Sequence, residues 1–179
     1  MKLNKLLLFS LLLCFVFPIV LNAGQLEDAT AAIDNEDYEK AYNLLLPLAE
    51  EGNEDAQNTL GVLYVNGQGV EQDTTKGLSL IMKAANQGHE EAKANAYILC
   101  YEEAQQGNMG AMHNVGYMCL NGWAGENDPN NCIKLLEVAA SNGFTRSASA
   151  LCQIYKKGMF GLSPDEEKSS YWGSLAEEE

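Results

Sequence analysis

One eight-residue pattern, Ala-x-x-Gly-x-x-x-Ala, recurs along the chain and limits what it can fold into. Its copies begin at Ala49, Ala85 and Ala104, and a fourth copy beginning at Ala140 ends in Ser instead of Ala. The glycines of successive copies lie 36, 19 and 36 residues apart. A period near 36 is typical of repeat proteins built from helix pairs. Each Gly is predicted to end a helix in the left-handed conformation, and the alanines allow antiparallel helices to approach closely.

The segments between these glycines are predicted to be helices, because apolar residues recur in them at helical spacing. The repeating unit is a helix, a Gly-rich loop, a second helix and a Gly turn. A shift of 55 residues superposes one unit on another, and a shift of 91 or 92 adds the last unit. The matched pairs include Gly61 with Gly116, Gly67 with Gly122, Tyr64 with Tyr155, and Lys76 with Lys168. Asp73, Asp128 and Ser163 are the predicted N-caps of the second helices.

The motifs of the best-preserved unit point to a known family. They are Ala56-x-x-x-Leu60-Gly61-x-x-Tyr64, Gly67-x-Gly69-Val70, Asp73-x-x-Lys76 and Ala84-Ala85-x-Gln87-Gly88. Together they resemble the Sel-one-like repeat (SLR), a relative of the tetratricopeptide repeat (TPR). The resemblance is specific at 56–92, good at 111–147, partial at 148–176 and loose at 25–51. It implies an all-α fold, a right-handed α-solenoid of stacked antiparallel helix hairpins that serves as a protein-interaction scaffold.

The 19-residue interval between Gly88 and Gly107 departs from this pattern. It has room for one helix, over 90–105, and no loop. We therefore expect one irregular short repeat at 90–107, in which the start of one repeat is joined to the end of the next.

The N-terminal residues are typical of a signal peptide. Lys2 and Lys5 precede an apolar run over 6–21, and Ala23 supplies a small residue at the predicted cleavage site. An uncleaved membrane anchor is the alternative interpretation. The sequence thus predicts a signal peptide over 1–23, a single solenoid domain over 24–179, and a periplasmic or secreted protein that does not insert into the membrane after cleavage.

The charge of the predicted mature chain limits its partners. Nine basic residues stand against 25 acidic ones after removal of Lys2 and Lys5, which gives a formal charge of −16. Nucleic acid and anionic lipid surfaces would repel such a protein, so neither is an expected partner. A basic protein partner would be attracted to it.

Four cysteines follow the predicted leader, and an even number in an exported protein suggests disulfides. Cys100 and Cys119 lie on either side of the Gly107 turn, and Cys132 and Cys152 lie on either side of the Gly143 turn. We expect the pairs Cys100–Cys119 and Cys132–Cys152, each joining two antiparallel helices. The competing pair is Cys119–Cys132, across the loop over 121–130.

No pattern in the sequence predicts catalytic, cofactor-binding or metal-binding residues. The chain lacks the S-x-x-K, H-E-x-x-H and P-loop motifs, and we predict that it is not an enzyme. Partner binding is predicted instead at two kinds of position. Asn58, His113 and Ser149 lie two residues after the first Ala of a unit, on the expected concave face. Trp123 and Phe160 lie in loops, where they either contact a partner or fold back over the hairpin ends.

These observations predict an exported, disulfide-stapled scaffold that binds another protein. The resemblance to exported SLR proteins suggests a more specific function, a periplasmic immunity protein that binds and neutralises a toxic effector enzyme of lipase type. The alternative is a β-lactam-binding or β-lactam-hydrolysing protein, as proposed for cysteine-rich members of the family.

Overall fold

The computed structural model describes residues 24–123, 125 and 128–177. The predicted signal peptide over 1–23 lies outside these residues. The chain divides into two compact units, one ending at Ala92 and the other beginning at Lys93, and each is described by itself. The single domain predicted over 24–179 stays a prediction.

Helices account for all the regular secondary structure of the described residues. The first unit contains α1 (24–34), α2 (Tyr38–Glu50), α3 (Glu54–Asn66) and α4 (Thr74–Gln87), and α5 (Glu90–Gln105) begins at its end. The second unit contains the rest of α5, then α6 (Met109–Leu120), α7 (Pro129–Ser141), α8 (Thr145–Lys157) and α9 (Glu166–Ala176). Since α5 fills the 19-residue interval as one helix, the irregular short repeat is confirmed.

The predicted Gly turns are present at all four copies of the pattern. Gly52, Gly88, Gly107 and Gly143 have φ values of +95°, +112°, +86° and +85°. At the last of them, the Gly143 amide donates to the Ala140 carbonyl (3.0 Å) and the Phe144 amide donates to the Ala139 carbonyl (3.0 Å). These two bonds satisfy carbonyls that the end of α7 leaves without intrahelical partners.

Aspartates cap the second helix of each of three hairpins. The side chain of Asp73 accepts from the Lys76 amide (2.8 Å), that of Asp128 from the Asn130 amide (2.9 Å), and that of Asp165 from the Lys168 amide (2.9 Å). The first two N-caps were predicted correctly. The third prediction, Ser163, is wrong by two residues, and Asp165 is the residue that a shift of 92 aligns with Asp73.

The helices of a hairpin are in backbone contact at a glycine of the first helix. A Cβ atom on Gly61 would lie 2.6 Å from Ile81 Cγ1 and 2.8 Å from the Gly77 carbonyl oxygen. In the second unit, a Cβ atom on Gly116 would lie 2.9 Å from the Leu136 side chain and 3.1 Å from the Cys132 carbonyl oxygen. The two sets of contacts correspond under the same shift of 55 residues. The repeat seen in the sequence is therefore a repeat of tertiary contacts.

Each unit has its own core of small and aliphatic side chains. In the first unit, α1, α2 and α3 contribute Ala29, Ala32, Ala41, Leu45, Leu48, Ala49, Ala56, Leu60, Leu63 and Tyr64. In the second unit, α7, α8 and α9 contribute Ile133, Leu136, Ala140, Ala148, Leu151, Ile154, Tyr155 and Trp172. The many alanines keep helix axes close together, so the cores are thin and depend on tight packing.

A tyrosine and a lysine link the two helices at the loop end of two hairpins. In α3–α4, Lys76 Nζ lies 2.6 Å from the Tyr64 hydroxyl and 4.3 Å from its ring centroid. In α8–α9, Lys168 Nζ lies 4.8 Å from the Tyr155 ring centroid. We call this contact the Tyr–Lys clasp. It combines a cation–π attraction with the packing of the lysine stem.

The α6–α7 hairpin has a disulfide in the place of this clasp. Cys119 occupies the position of Tyr64 under the shift of 55, Cys132 occupies that of Gly77, and Asn131 replaces the lysine. Cys119 and Cys132 are bonded, with their Cα atoms 5.5 Å apart. The three hairpins are thus closed at the same place by two different chemistries.

This disulfide corrects the predicted pairs Cys100–Cys119 and Cys132–Cys152. Cys100 lies seven residues before Gly107, whereas Cys119 lies twelve after it, an offset of about 7 Å along antiparallel helices. The residue opposite Cys100 is Asn114, seven after the turn, and it hydrogen-bonds the Cys100 thiol.

The other half of the predicted pairing fails because Cys152 faces α9. Its Sγ lies 3.6 Å from Ser169 Oγ, while Cys132 faces α6. Cys100 is a free buried thiol and Cys152 a free, half-buried one. The pairing that the sequence left as the competing alternative is the one that forms.

We predict that the double substitution Cys119→Ala with Cys132→Ala lowers the free energy of unfolding by about 3 kcal/mol, because a loop of this length loses its covalent closure. Urea unfolding of the mature chain measures the effect. Cys152→Ala is the control and should cost clearly less.

The structural equivalence of the Cys119–Cys132 disulfide and the Tyr–Lys clasp can be tested separately. The triple substitution Cys119→Tyr, Asn131→Lys and Cys132→Gly should recover part of the stability that the double alanine variant loses. A triple variant no more stable than the double variant would show that the two closures are not equivalent.

Candidate protein-binding surface

An exposed aromatic residue marks the surface formed by α6 and α8 in the second unit. Tyr117 on α6 is 47% exposed, although it is a large ring in a helix with no Asp, Glu, Lys or Arg. Its ring stacks on that of His113, one helical turn earlier, with the centroids 6.1 Å apart. His113 is only 7% exposed, so Tyr117 rests on a buried support.

Residues from the start of α8 hold that support in place. His113 Nδ1 lies 2.9 Å from Ser147 Oγ, a buried hydrogen bond between the two helices. The Phe144 ring packs against the imidazole with the centroids 5.4 Å apart. The side chain of His113 is therefore fixed before any partner binds.

Arg146 and Ser149 complete this surface. Arg146 lies between Phe144 and Ser147 in sequence, and both of those residues contact His113. Ser149 follows Arg146 by three residues, which places it on the same face of α8. Both are exposed. We refer to Tyr117, Phe144, Arg146 and Ser149, with His113 beneath them, as the α6–α8 surface.

The imidazole of His113 is held in its neutral form. Burial lowers the pKa of His113, and the positive charge of Arg146 lowers it further. A neutral imidazole can share one hydrogen bond with the Ser147 hydroxyl without placing a second positive charge beside Arg146.

Two of the residues predicted to bind a partner are buried, which corrects those predictions. His113 lies under Ser147 and Phe144 because α8 stacks over this position of α6. Asn58, at the same register in α3, is 4% exposed. Ser149 has the same register in α8 and is exposed. The role of Ser149 in binding stays a prediction.

The two loop aromatics are half-buried. Phe160 has a positive φ of 57° and packs, with Met159, against the core of the second unit. It therefore folds back over the end of the α8–α9 hairpin, the alternative left open by the sequence. Trp123 follows α6, and its amide donates to the Met118 carbonyl (3.0 Å). Partner binding by Trp123 and Phe160 stays a prediction.

Sequence reasoning missed Tyr117 and Arg146, although signals for both were present. Tyr117 lies four residues after His113 and therefore on the same face of α6. A surface predicted at His113 should thus have included Tyr117 as well. Arg146 is the only arginine of the chain.

The Tyr–Lys clasp of the first unit is where potentially reactive side chains meet. Tyr64, Asp73, Thr74 and Lys76 line an open surface cleft of about 650 Å³. Burial raises the pKa of Tyr64, but the hydrogen bonds of Lys76 and Tyr42 bring it below its ordinary value. At the equivalent position, burial and Glu137 raise the pKa of Tyr155 to about 12. The two tyrosines thus share their packing against a lysine, whereas their pKa values are shifted in opposite directions.

Two features are absent from the part of the chain that the structure describes. No group of three or more His, Cys, Asp and Glu side chains is arranged to hold a metal ion. No helix combines the length and apolar character needed to cross a membrane.

The architecture is that of an all-α solenoid of helix hairpins, and the sequence assigns it to a family. The Sel1 repeat matches residues 33–53, 54–89, 110–144 and 145–179, which is most of the chain. The protein therefore belongs to the Sel1 repeat family, whose members are scaffolds that bind other proteins. The whole of α5 lies between the second and third matches, as expected for the irregular repeat.

Several solved structures are similar to this chain at low identity, each over 87% of its residues. A protective antigen of uropathogenic Escherichia coli strains, displaying an SLR fold, is 24% identical with a TM-score of 0.43, and the chain spans 38% of its length. A Sel1 repeat protein from Oxalobacter formigenes is 23% identical (TM-score 0.41, 71% of its length). An immunity protein from Pseudomonas aeruginosa is 18% identical (TM-score 0.38, 81% of its length). No match was found among curated proteins.

The lowered pKa of His113 predicts a loss of stability in acid. The folded-state pKa lies below the ordinary value of 6.5, so the unfolded chain binds the proton more readily. This contribution is complete above pH 6.5 and is lost as the pH falls below it, with a slope of at most about 1.4 kcal/mol per pH unit. Urea unfolding between pH 7.5 and 5 measures the slope. His113→Gln should flatten it, and parallel curves for the two proteins would contradict the prediction.

Proposed function

We propose that this protein is an exported scaffold that binds a protein partner through the α6–α8 surface. The more specific form of the proposal is a periplasmic immunity protein that occupies a toxic effector enzyme of lipase type. Membership of the Sel1 repeat family supports the general form, because proteins of this family bind other proteins.

The observation that carries the proposal is the exposed ring of Tyr117 on its buried support. A Tyr ring offers a large contact area and has few rotatable bonds to restrict on binding. Stacking on His113, itself fixed by Ser147 and Phe144, further reduces the entropy that a complex would cost. Residues of this kind are the usual centres of binding energy in protein interfaces.

The charge distribution supports a basic partner. Residues 24–92 contain three basic and 14 acidic residues, a formal charge of −11. Residues 93–179 contain six basic and 11 acidic residues, a formal charge of −5. A field of this sign accelerates the encounter with a positively charged protein.

The disulfide supports the proposed location. Disulfides such as Cys119–Cys132 persist in oxidising compartments, of which the bacterial periplasm is one. The signal-peptide pattern over 1–23 is in agreement with export.

The immunity function is tested with the product of the gene next to the one that encodes this chain. Periplasmic expression of that product should stop growth, and co-expression of this protein should restore it. Tyr117→Ala should abolish the rescue, because it removes the proposed centre of the interface. Tyr171→Ala is the matched control, since Tyr171 is 55% exposed on α9, and it should still rescue growth.

Rescue by Tyr117→Ala at the wild-type level would contradict the role of the α6–α8 surface. A neighbouring product without toxicity would contradict the immunity form of the proposal. Steady turnover of a chromogenic cephalosporin by the purified protein would support the β-lactam alternative instead.

The charge argument predicts a salt dependence of association. The association rate with that product should fall at least about tenfold between 50 and 500 mM NaCl, while the dissociation rate changes little. Stopped-flow measurement of Trp fluorescence gives both rates. An association rate that is independent of ionic strength would show that the acidic residues have no steering role.

A further inference from the structure

The α6–α8 surface differs in charge from the rest of this acidic protein. Neither α6 nor α8 contains an Asp or Glu residue, although the chain has 25 of them. The first helices of other repeats do carry acidic residues: Glu54 and Asp55 in α3, and Glu90 and Glu91 in α5. The two helices that form the surface therefore carry no negative side chain, unlike α3 and α5.

The residues of the α6–α8 surface include one positively charged side chain, that of Arg146. Arg146 is exposed and forms no salt bridge with any residue in the ranges that the structure describes. Its place beside the support is fixed by its neighbours, since Phe144 and Ser147 both contact His113. Its charge reaches the imidazole, where it acts to lower the pKa of His113.

An exposed guanidinium group on a surface that also exposes an aromatic ring is suited to one kind of ligand. Its planar array of donors binds a carboxylate through two parallel hydrogen bonds, while the ring accepts an apolar group. Ser149, three residues further along α8, adds a hydroxyl that can donate to the same carboxylate.

We propose that the α6–α8 surface binds a partner segment in which an Asp or Glu lies next to an apolar residue. Arg146 pairs with the carboxylate, and Tyr117 packs against the apolar side chain. This proposal rests on the proposed function, because it names the chemistry of the segment that a protein partner presents here.

The proposal agrees with a partner that is basic overall. Acidic groups of the partner are repelled by most of this protein and find a favourable site at Arg146. Like-charge repulsion elsewhere would therefore fix the orientation of the partner, while Arg146 supplies the attractive contact.

The test is a selection of random dodecapeptides, displayed on phage, against the immobilised mature chain. We expect peptides with Asp or Glu beside an apolar residue to be enriched. Synthetic copies of them should bind Arg146→Gln at least about tenfold more weakly than the wild type in fluorescence anisotropy. The matched control is Lys134→Gln, which removes an exposed positive charge on α7 and should bind them as the wild type does.

Several outcomes would overturn the inference. They are no enrichment, enrichment without acidic residues, or equal weakening by Arg146→Gln and Lys134→Gln. N-acetylaspartate that displaces the peptides at micromolar concentration would show that the site recognises a small carboxylate and not a protein segment.

Two further measurements test whether Arg146→Gln changes the folded structure. Arg146→Gln should leave urea unfolding unchanged at pH 7.5 and should raise the pKa of His113, measured by NMR titration. An unchanged pKa would overturn the placement of Arg146 beside the imidazole. If the peptide test fails but growth rescue still depends on Tyr117, only this inference is refuted. If growth rescue does not depend on Tyr117, the proposed function is refuted.

Discussion

The α3–α4 and α6–α7 hairpins depend on a backbone-to-backbone approach that leaves no space for a side chain. Gly61 lies against the carbonyl of Gly77, and Gly116 lies against that of Cys132. A methyl group at either glycine would separate the helices and weaken the packing of Ile81 or Leu136. The aspartate caps and the loop-end closures lie within four residues of these carbonyls on the second helix. Their geometry therefore follows from the spacing that the glycines allow.

The loop-end closure shows how one position can change its chemistry while the fold is kept. The Tyr–Lys clasp needs a buried ring on the first helix and an exposed lysine on the second. In the α6–α7 hairpin, the disulfide replaces them, and α6 carries neither the clasp tyrosine nor any Asp, Glu, Lys or Arg. Its exposed tyrosine, Tyr117, lies two residues before Cys119 and stacks on His113. The covalent bond thus leaves the outer face of α6 available for another role.

The sequence predicted those features that one residue or one turn determines. Gly52, Gly88, Gly107 and Gly143 end helices because their backbone conformation favours a residue without Cβ, and Asp73 caps because a short carboxylate reaches a free amide. The error at Ser163 came from reading the cap locally, whereas the repeat register would have given Asp165.

The predictions that were wrong concern features that depend on contacts between residues far apart in the sequence. The pairing of Cys119 required the axial offset between helices, and the exposure of His113 required knowledge that α8 stacks over α6. In a repeat protein, each unit buries part of the surface of the unit before it. A register position that is exposed in the last repeat, as Ser149 is, is therefore a poor guide to the same position earlier in the chain.

Burial by the next repeat also explains how a buried histidine contributes to a surface. His113 has no access to a partner, yet Tyr117 stacks on it and Phe144 packs against it. Its neutrality matters, because a protonated imidazole would place a second cation next to Arg146 and oppose the packing of α8 on α6. The guanidinium then remains the single positive charge among the residues of the α6–α8 surface. Such an arrangement separates the two parts of recognition: acidic residues distributed over the protein govern the rate of encounter, and one arginine on a rigid aromatic base governs which segment is held.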